Sequence, residues 1–149
     1  MLKKFRYFII FSIICLCFYI TKRTFENDTF YMIKLGEYIY NNGIDMLDHF
    51  SFICNLGYTY PHWLYDLFIY LLYNFYGYFG IYIFNILFFI ILSFSYYFIS
   101  LKIVKNEFIC GFSTIFFVLF LSKFVCARAQ LISIILFLWE VYFINELGS

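Results

Sequence analysis

Carboxylates are the side chains of this sequence that could do chemistry, and they are concentrated in one stretch. Six of the nine acidic residues lie there: Glu26, Asp28, Glu37, Asp45, Asp48 and Asp66. A positioned carboxylate can act as a general base by accepting a proton from a hydroxyl group. Both histidines, His49 and His62, lie in the same stretch without the spacing of metal ligands, and we expect neither a metal nor a cofactor. Polar chemistry is therefore expected within residues 26–66.

An amphipathic helix is predicted over residues 30–42, and it carries Glu37 on its polar face. Met32, Leu35 and Ile39 recur at helical spacing on one face, and the other face is polar. Gly43 is predicted to end the helix, because glycine suits the left-handed position that follows a helix. The segment is too polar to span a membrane, so we expect the helix to lie along the membrane surface.

A second surface helix is predicted for residues 62–75, where the sequence is again amphipathic. Pro61 is predicted to begin it, because proline fits the first turn of a helix. Gly77 and Gly80 are expected to break it. Residues 44–60, between the two helices, are predicted to be irregular.

The rest of the chain has the composition of an integral membrane protein. Hydrophobic residues make up 65% of the sequence and charged residues 13%, whereas soluble domains have about half and about a quarter. The predicted membrane-spanning helices cover residues 7–21, 81–101, 108–122 and 131–145. We therefore expect an all-α integral membrane protein in which residues 1–149 form one membrane domain, with about four transmembrane helices. The two interfacial helices lie in a long first external loop, residues 24–75.

The distribution of positive charge predicts the orientation in the membrane. Cations within residues 3–6 and 102–105 are expected to be cytoplasmic by the positive-inside rule, although Lys22 and Arg23 oppose it. No small-residue cleavage site follows the first apolar run, so a retained signal anchor is expected. The protein is thus predicted to be a multi-pass protein of the plasma membrane with a cytoplasmic amino terminus.

A short turn at residues 123–130 is predicted to be external, and it carries Lys123 and Arg128. Two cations on that side would be explained by an anionic head group on a ligand, because guanidinium pairs well with phosphate. The alternative is that this turn is an ordinary exception to the positive-inside rule, which is statistical.

Five patches of sequence resemble a known class of enzymes. They are residues 28–39, 42–44, 48–51, 62–64 and 127–130. In order and residue type they resemble the amino-terminal signature of large bacterial proteins of the GT-C class of membrane glycosyltransferases. Met32 stands where that family usually has His, and Ala129 stands where it has Pro. Because these proteins have many more spans, the resemblance implies the amino-terminal part of a larger or split enzyme.

The resemblance also implies what the protein would do. A sugar would pass from a polyprenyl-phosphate donor to an external acceptor, and Asp28 would be the catalytic base that takes the proton of the acceptor. The alternative for Asp28 is a helix cap. Asp48, His62 and Trp63 would position the acceptor or the loop, and the alternative for Asp48 is a local turn bond.

The donor phosphate would be bound by Arg128 and Gln130. The turn at residues 123–130 has no acidic residue, which again argues against a metal. Glu140 lies within the predicted fourth span and is expected to face the protein interior or an aqueous cavity.

A second hypothesis is a non-enzymatic membrane scaffold or assembly subunit, in which the acidic loop is a docking surface. In either case membrane lipid is the expected partner and nucleic acid is not.

Overall fold

The computed structural model describes residues 2–21, 26–50, 56–121 and 129–147, with side chains from Arg6 onward. The described part is helical apart from turns and one isolated antiparallel bridge between Leu47 and Gly57. Its helices are α1 (Leu2–Ile20), α2 (Asn27–Asn42), α3 (Trp63–Val104), α4 (Glu107–Leu121) and α5 (Gln130–Leu147). The all-α class expected from the sequence is thus observed.

Two helices of the described residues are long and apolar enough to cross a membrane. They are α3, with 42 residues, and α5, with 18. The apolar helices Arg6–Ile20 and Glu107–Leu121 are shorter than the ~20 residues that a bilayer core requires. Over the described residues each of the four predicted spans corresponds to a helix, the first span extending one residue past α1, and two of those helices reach spanning length by themselves.

The chain folds into two compact units. Residues 26–81 form one, which we call the acidic unit because it contains all six clustered acids. Residues 1–25 and 82–149 form the other, which we call the apolar unit.

The core of the apolar unit lies between α1, the end of α3 and α4. Ile13, Phe89 and Val118 are fully buried there. Gly111 of α4 lies so close to Ile9 of α1 that an added Cβ would come within 2.6 Å of the Ile9 Cδ1 atom. This small residue therefore allows α1 and α4 to pack closely.

Polar side chains also link the helices of the apolar unit. The Tyr96 and Ser113 hydroxyl oxygens lie 2.7 Å apart, and the Tyr96 ring stacks on Phe117 with centroids at 4.1 Å. Arg6 and Glu107 form an ion pair. These contacts join α1 to α4 and α3 to α4. Unlike apolar packing, the hydrogen bond and the ion pair require a defined geometry between the helices.

A glycine bends α3. Gly77 has a φ of 63° and a ψ of −157°, which are not helical values, so the helix is kinked there, where the sequence predicts a break. Gly80 does not break the helix, which corrects the prediction for that residue. A Cβ at Gly80 would lie 2.6 Å from the Cβ of Tyr76, so a glycine is needed for the close approach of the chain across the kink.

Leu131 is the buried residue of α5; Ile134, Ile135 and Leu138 are partly buried against the core, and most of the remaining helix is exposed. Glu140 is exposed, so of the two surroundings expected for it, the protein interior and an aqueous cavity, the described residues do not supply the first. The helix packs through its first half, from Leu131 to Trp139, whose Nε1 atom donates to the Ser95 hydroxyl oxygen at 3.3 Å, and Glu140 is the next residue.

Candidate functional site

The acidic unit is built on a close crossing between α2 and the beginning of α3. Gly36 lies at this crossing, where a Cβ would come within 2.2 Å of the Asp66 carbonyl oxygen and 2.7 Å of the Tyr70 Cβ atom. Leu35 and Ile39 are buried on either side of Gly36, together with Met32. The apolar face that the sequence predicts for α2 is thus buried.

The helix α2 begins three residues earlier than expected, at Asn27. It ends at Asn42, as expected, and Gly43 follows with a φ of 83° while its amide donates to the Ile39 carbonyl oxygen at 2.9 Å. The early start matters for Asp28, which becomes the second residue of the helix.

Asp28 lies exposed in the first turn of α2. The N-cap position belongs to Glu26, whose side chain makes no capping hydrogen bond. The structure therefore differs from the alternative in which Asp28 is the N-cap residue. In the first turn its carboxylate benefits from the positive end of the helix dipole.

His62 and Asp66 form a hydrogen-bonded pair at the start of α3. The His62 Nδ1 atom lies 2.9 Å from the Asp66 Oδ2 atom. The Asp66 side chain is fully buried, whereas the His62 side chain is 41% exposed. The second Asp66 oxygen, Oδ1, is buried and has no hydrogen-bond partner among the residues that the structure describes. This pair joins a buried carboxylate to an imidazole at the surface.

Helix geometry explains why these two side chains meet. The His62 carbonyl oxygen accepts hydrogen bonds from the amides of Tyr65 at 2.9 Å and Asp66 at 3.1 Å, so His62 directly precedes α3 and is bonded to its first turn. Residues four apart lie on the same face of a helix, one turn from each other. The sequence reading named His62 as a site residue but missed Asp66, and the four-residue spacing is the signal that could have found it.

A second group of polar side chains surrounds Asp45, and we call it the Asp45 network. Its other members are Tyr38 of α2, with His49 and Tyr60 of the loop. The Asp45 Oδ2 atom accepts from the Tyr38 hydroxyl at 2.7 Å and lies 2.5 Å from the His49 Nε2 atom. The Tyr60 hydroxyl donates to Oδ1 at 3.3 Å. The His49 ring also stacks on Tyr38, with centroids 4.4 Å apart.

The hydrogen bonds change the acidity of this network. The bond from Tyr38, followed by that from His49, lowers the pKa of Asp45 to about 2. The same bond raises the pKa of Tyr38 to about 12, and burial raises the pKa of Tyr60. Asp45 is therefore ionised at neutral pH and holds the loop against α2.

Asp48 makes the local turn bond that the sequence leaves open. Its Oδ1 atom accepts from the Phe50 amide at 2.9 Å. Its own amide donates to the Leu56 carbonyl oxygen at 2.9 Å, beside the bridge between Leu47 and Gly57. This carboxylate thus has a structural contact in the loop.

The remaining site residues lie at helix ends. Trp63 is the first residue of α3 and is 42% exposed, and Gln130 is the first residue of α5 and is exposed. Arg128 and Lys123 lie outside the described residues.

The acidic unit also has a groove that the sequence reading missed. Its volume is about 370 Å³, and it lies between α2 and the first half of α3. Its lining consists of Phe30, Ile33, Lys34, Glu37, Tyr70, Tyr73, Asn74 and Tyr78. The Lys34 ammonium and the Glu37 carboxylate pair at 2.7 Å, so the groove has no net charge.

Within the described ranges, no three His, Cys, Asp or Glu side chains come together as a metal site would require. Comparisons with family models, with curated proteins and with solved structures find no match to this chain.

Proposed function

We propose that this chain is the amino-terminal portion of a membrane glycosyltransferase-like protein, which transfers a sugar from a polyprenyl-phosphate donor to an external acceptor. The observation that carries the proposal is the position of Asp28. Its carboxylate is exposed in the first turn of α2, away from the N-cap position, at the place where the GT-C resemblance implies a base.

In this mechanism the acceptor hydroxyl loses its proton to Asp28 while its oxygen attacks the anomeric carbon of the donor sugar. The bond from that carbon to the phosphate oxygen breaks, and the polyprenyl phosphate leaves with the bonding electrons. Arg128 binds the phosphate through its planar guanidinium, together with Gln130, two residues farther along the chain. Asp48, His62 and Trp63 position the acceptor or the loop that binds it.

In the membrane, we propose four spans with a cytoplasmic amino terminus and with residues 24–75 outside. One feature of the apolar unit supports this orientation. Arg6 of α1 and Lys102 of α3 line the same groove, so these cations lie at one end of the unit. The positive-inside rule assigns that end to the cytoplasm.

The exposed surface of α5 supports a larger enzyme. Glu140 lies exposed on this apolar helix, and a carboxylate facing lipid inside a bilayer is costly. Further spans of the same enzyme, on this chain or on a partner chain, would cover that surface.

The decisive experiment replaces Asp28 with asparagine in the complete enzyme. Asparagine cannot accept the proton, and general-base assistance is worth about 10²–10⁴ in rate, so we expect sugar transfer to slow at least about a hundredfold. Donor binding and folding should be unchanged. Glu37→Gln, which removes a carboxylate from the same helix, should transfer sugar at the normal rate. Normal turnover by Asp28→Asn would remove Asp28 from the reaction.

A specific observation favours the second candidate, a non-enzymatic scaffold. Asp45, Asp48 and Asp66 all make hydrogen bonds within the acidic unit, as structural carboxylates do. If the scaffold is correct, neither Asp28→Asn nor Arg128→Gln should change any transfer rate, whereas changes to the surface of the acidic unit should impair assembly with a partner.

A further inference from the structure

We propose that His62 accepts a hydrogen bond from a hydroxyl-bearing ligand through its Nε2 atom, and that Asp66 is its positioning residue. The proposal rests on the proposed function only for the identity of the ligand, the acceptor. The state of the imidazole follows from the geometry of the pair and can be tested without sugar transfer.

The hydrogen bond to Asp66 determines where the imidazole proton lies. Burial raises the pKa of Asp66, and its hydrogen bond with His62 opposes the rise. When this carboxylate is ionised it can only accept hydrogen bonds, so the Nδ1 atom, 2.9 Å from Asp66 Oδ2, then carries the hydrogen. In a neutral imidazole the other nitrogen then has a free lone pair. Because the His62 side chain is 41% exposed, this Nε2 atom is accessible to a ligand at the surface.

The surroundings of Asp66 keep the pair in place. Its side chain is fully buried, and the close crossing at Gly36 holds α2 against its backbone. Its backbone amide donates to the His62 carbonyl oxygen at 3.1 Å. A backbone and a side-chain hydrogen bond therefore both connect the two residues. The first turn of α3 also favours a negative charge.

The buried Oδ1 atom of Asp66 is an independent sign of function. It has no hydrogen-bond partner in the part of the chain that the structure describes, and such buried polar atoms are few in native proteins because each costs free energy. A carboxylate that fixes the imidazole tautomer explains the cost, since Asp66 holds the proton on Nδ1 and leaves Nε2 to accept a hydrogen bond.

The other histidine provides a matched comparison within the chain. His49 is also four residues from an aspartate, but its Nε2 atom points to Asp45 and to the Tyr38 hydroxyl at 2.8 Å. The Nε2 atom of His49 is therefore used in the hydrogen-bond network, whereas His62 uses its Nδ1 atom. The network of His49 holds the loop, whereas the pair at the start of α3 presents a lone pair to the outside.

The first test determines the tautomer by ¹⁵N NMR of the full chain with labelled histidine, in the variant His49→Gln so that His62 alone is observed. Spectra are recorded at about pH 8, above the reference pKa of about 6.5 for imidazole. We expect a protonated Nδ1 and an unprotonated Nε2. A protonated Nε2 with an unprotonated Nδ1 would overturn the proposal.

The second test measures the reaction of His62 with diethyl pyrocarbonate, which requires the lone pair of Nε2. In the His49→Gln background, Asp66→Asn should slow carbethoxylation at least about tenfold, because the asparagine amide can donate to Nδ1 and so move the proton to Nε2. Asp45→Asn in that background should leave the rate unchanged. An equal rate in Asp66→Asn would contradict the positioning role. If that variant does not fold, the tautomer of the native pair decides the question by itself.

Discussion

The carboxylates of the acidic unit have different surroundings, although they look alike in the sequence. Asp28 is exposed, Asp45 accepts bonds from two tyrosines and a histidine, and Asp66 is buried beneath His62. A carboxylate that is ionised and fully hydrogen-bonded is a poor base, because those bonds lower its pKa. Of these three residues, Asp45 is therefore the least suited to proton transfer.

The low pKa of Asp45 predicts that the stability of the loop depends on pH in the acidic range. The folded-state pKa of about 2 lies below the ordinary value of 3.8, so the network stabilises the loop at pH values above the ordinary pKa. That stability should be lost as the pH falls from about 4 to about 2. Tyr38→Phe removes the main cause and should raise the pKa of Asp45 toward its ordinary value.

The measurement is a pH titration by ¹³C NMR with labelled aspartate carboxyls, in which Asp45→Asn identifies the resonance. Tyr40→Phe is the control, because Tyr40 lies on the same helix and its ring contacts Tyr70. The interpretation of the network fails if the Asp45 resonance titrates identically in wild type and Tyr38→Phe.

Arg128 supports a prediction from its chemistry alone. If its guanidinium holds the donor phosphate, Arg128→Gln should weaken donor binding about tenfold or more, since hydrogen bonds to charged groups are worth about 1.5–3 kcal/mol. Arg128→Lys should recover part of the loss, because ammonium lacks the planar fork. Binding of a fluorescent polyprenyl phosphate to the complete enzyme tests this.

The variant Lys34→Gln controls for loss of a positive charge elsewhere, since Lys34 pairs with Glu37. Unchanged donor affinity in Arg128→Gln would exclude Arg128 from the donor site.

Among the elements, the crossing of α2 over α3 matters most for the candidate site. Gly36→Ala should destabilise the protein by about 1–3 kcal/mol, the usual cost of overpacking. The reason is that the new methyl group would lie 2.2 Å from the Asp66 carbonyl oxygen. The better helix propensity of alanine, about 1 kcal/mol, offsets part of this cost.

Reversible unfolding in detergent measures the difference in free energy. The control is Gly57→Ala, because a Cβ at Gly57 meets nothing within 4 Å. A Gly36→Ala variant as stable as the wild type would show that the helices can separate at no cost. The same variant should also increase the exposure of Asp66, which links the crossing to the His62 pair.

For the whole molecule, the orientation in the membrane determines whether the acidic unit can meet an external acceptor. We expect residues 24–75 to lie outside, with the amino terminus and Lys105 inside. Single cysteines introduced at Asn42 and at Lys105, in a background without the five native cysteines, should react with an impermeant thiol reagent from opposite sides. Labelling of both from the same side would refute this topology.

The sequence by itself determined the helices, because local physics decides them. The apolar spacing of Met32, Leu35 and Ile39 predicted the buried face of α2, and Gly43 and Gly77 predicted where regular helix stops. These signals depend on backbone conformation and on side-chain periodicity, which neighbouring residues establish without any distant contact.

Only the tertiary structure decided which acidic residue is buried and which is exposed. Gly36 is an ordinary helix position in the sequence, yet it permits the close crossing beside Asp66. Likewise, Tyr38 and Asp45 meet because the loop folds back on α2. Burial and pKa depend on atoms brought from elsewhere in the chain, and a pattern of neighbouring residues does not contain that information.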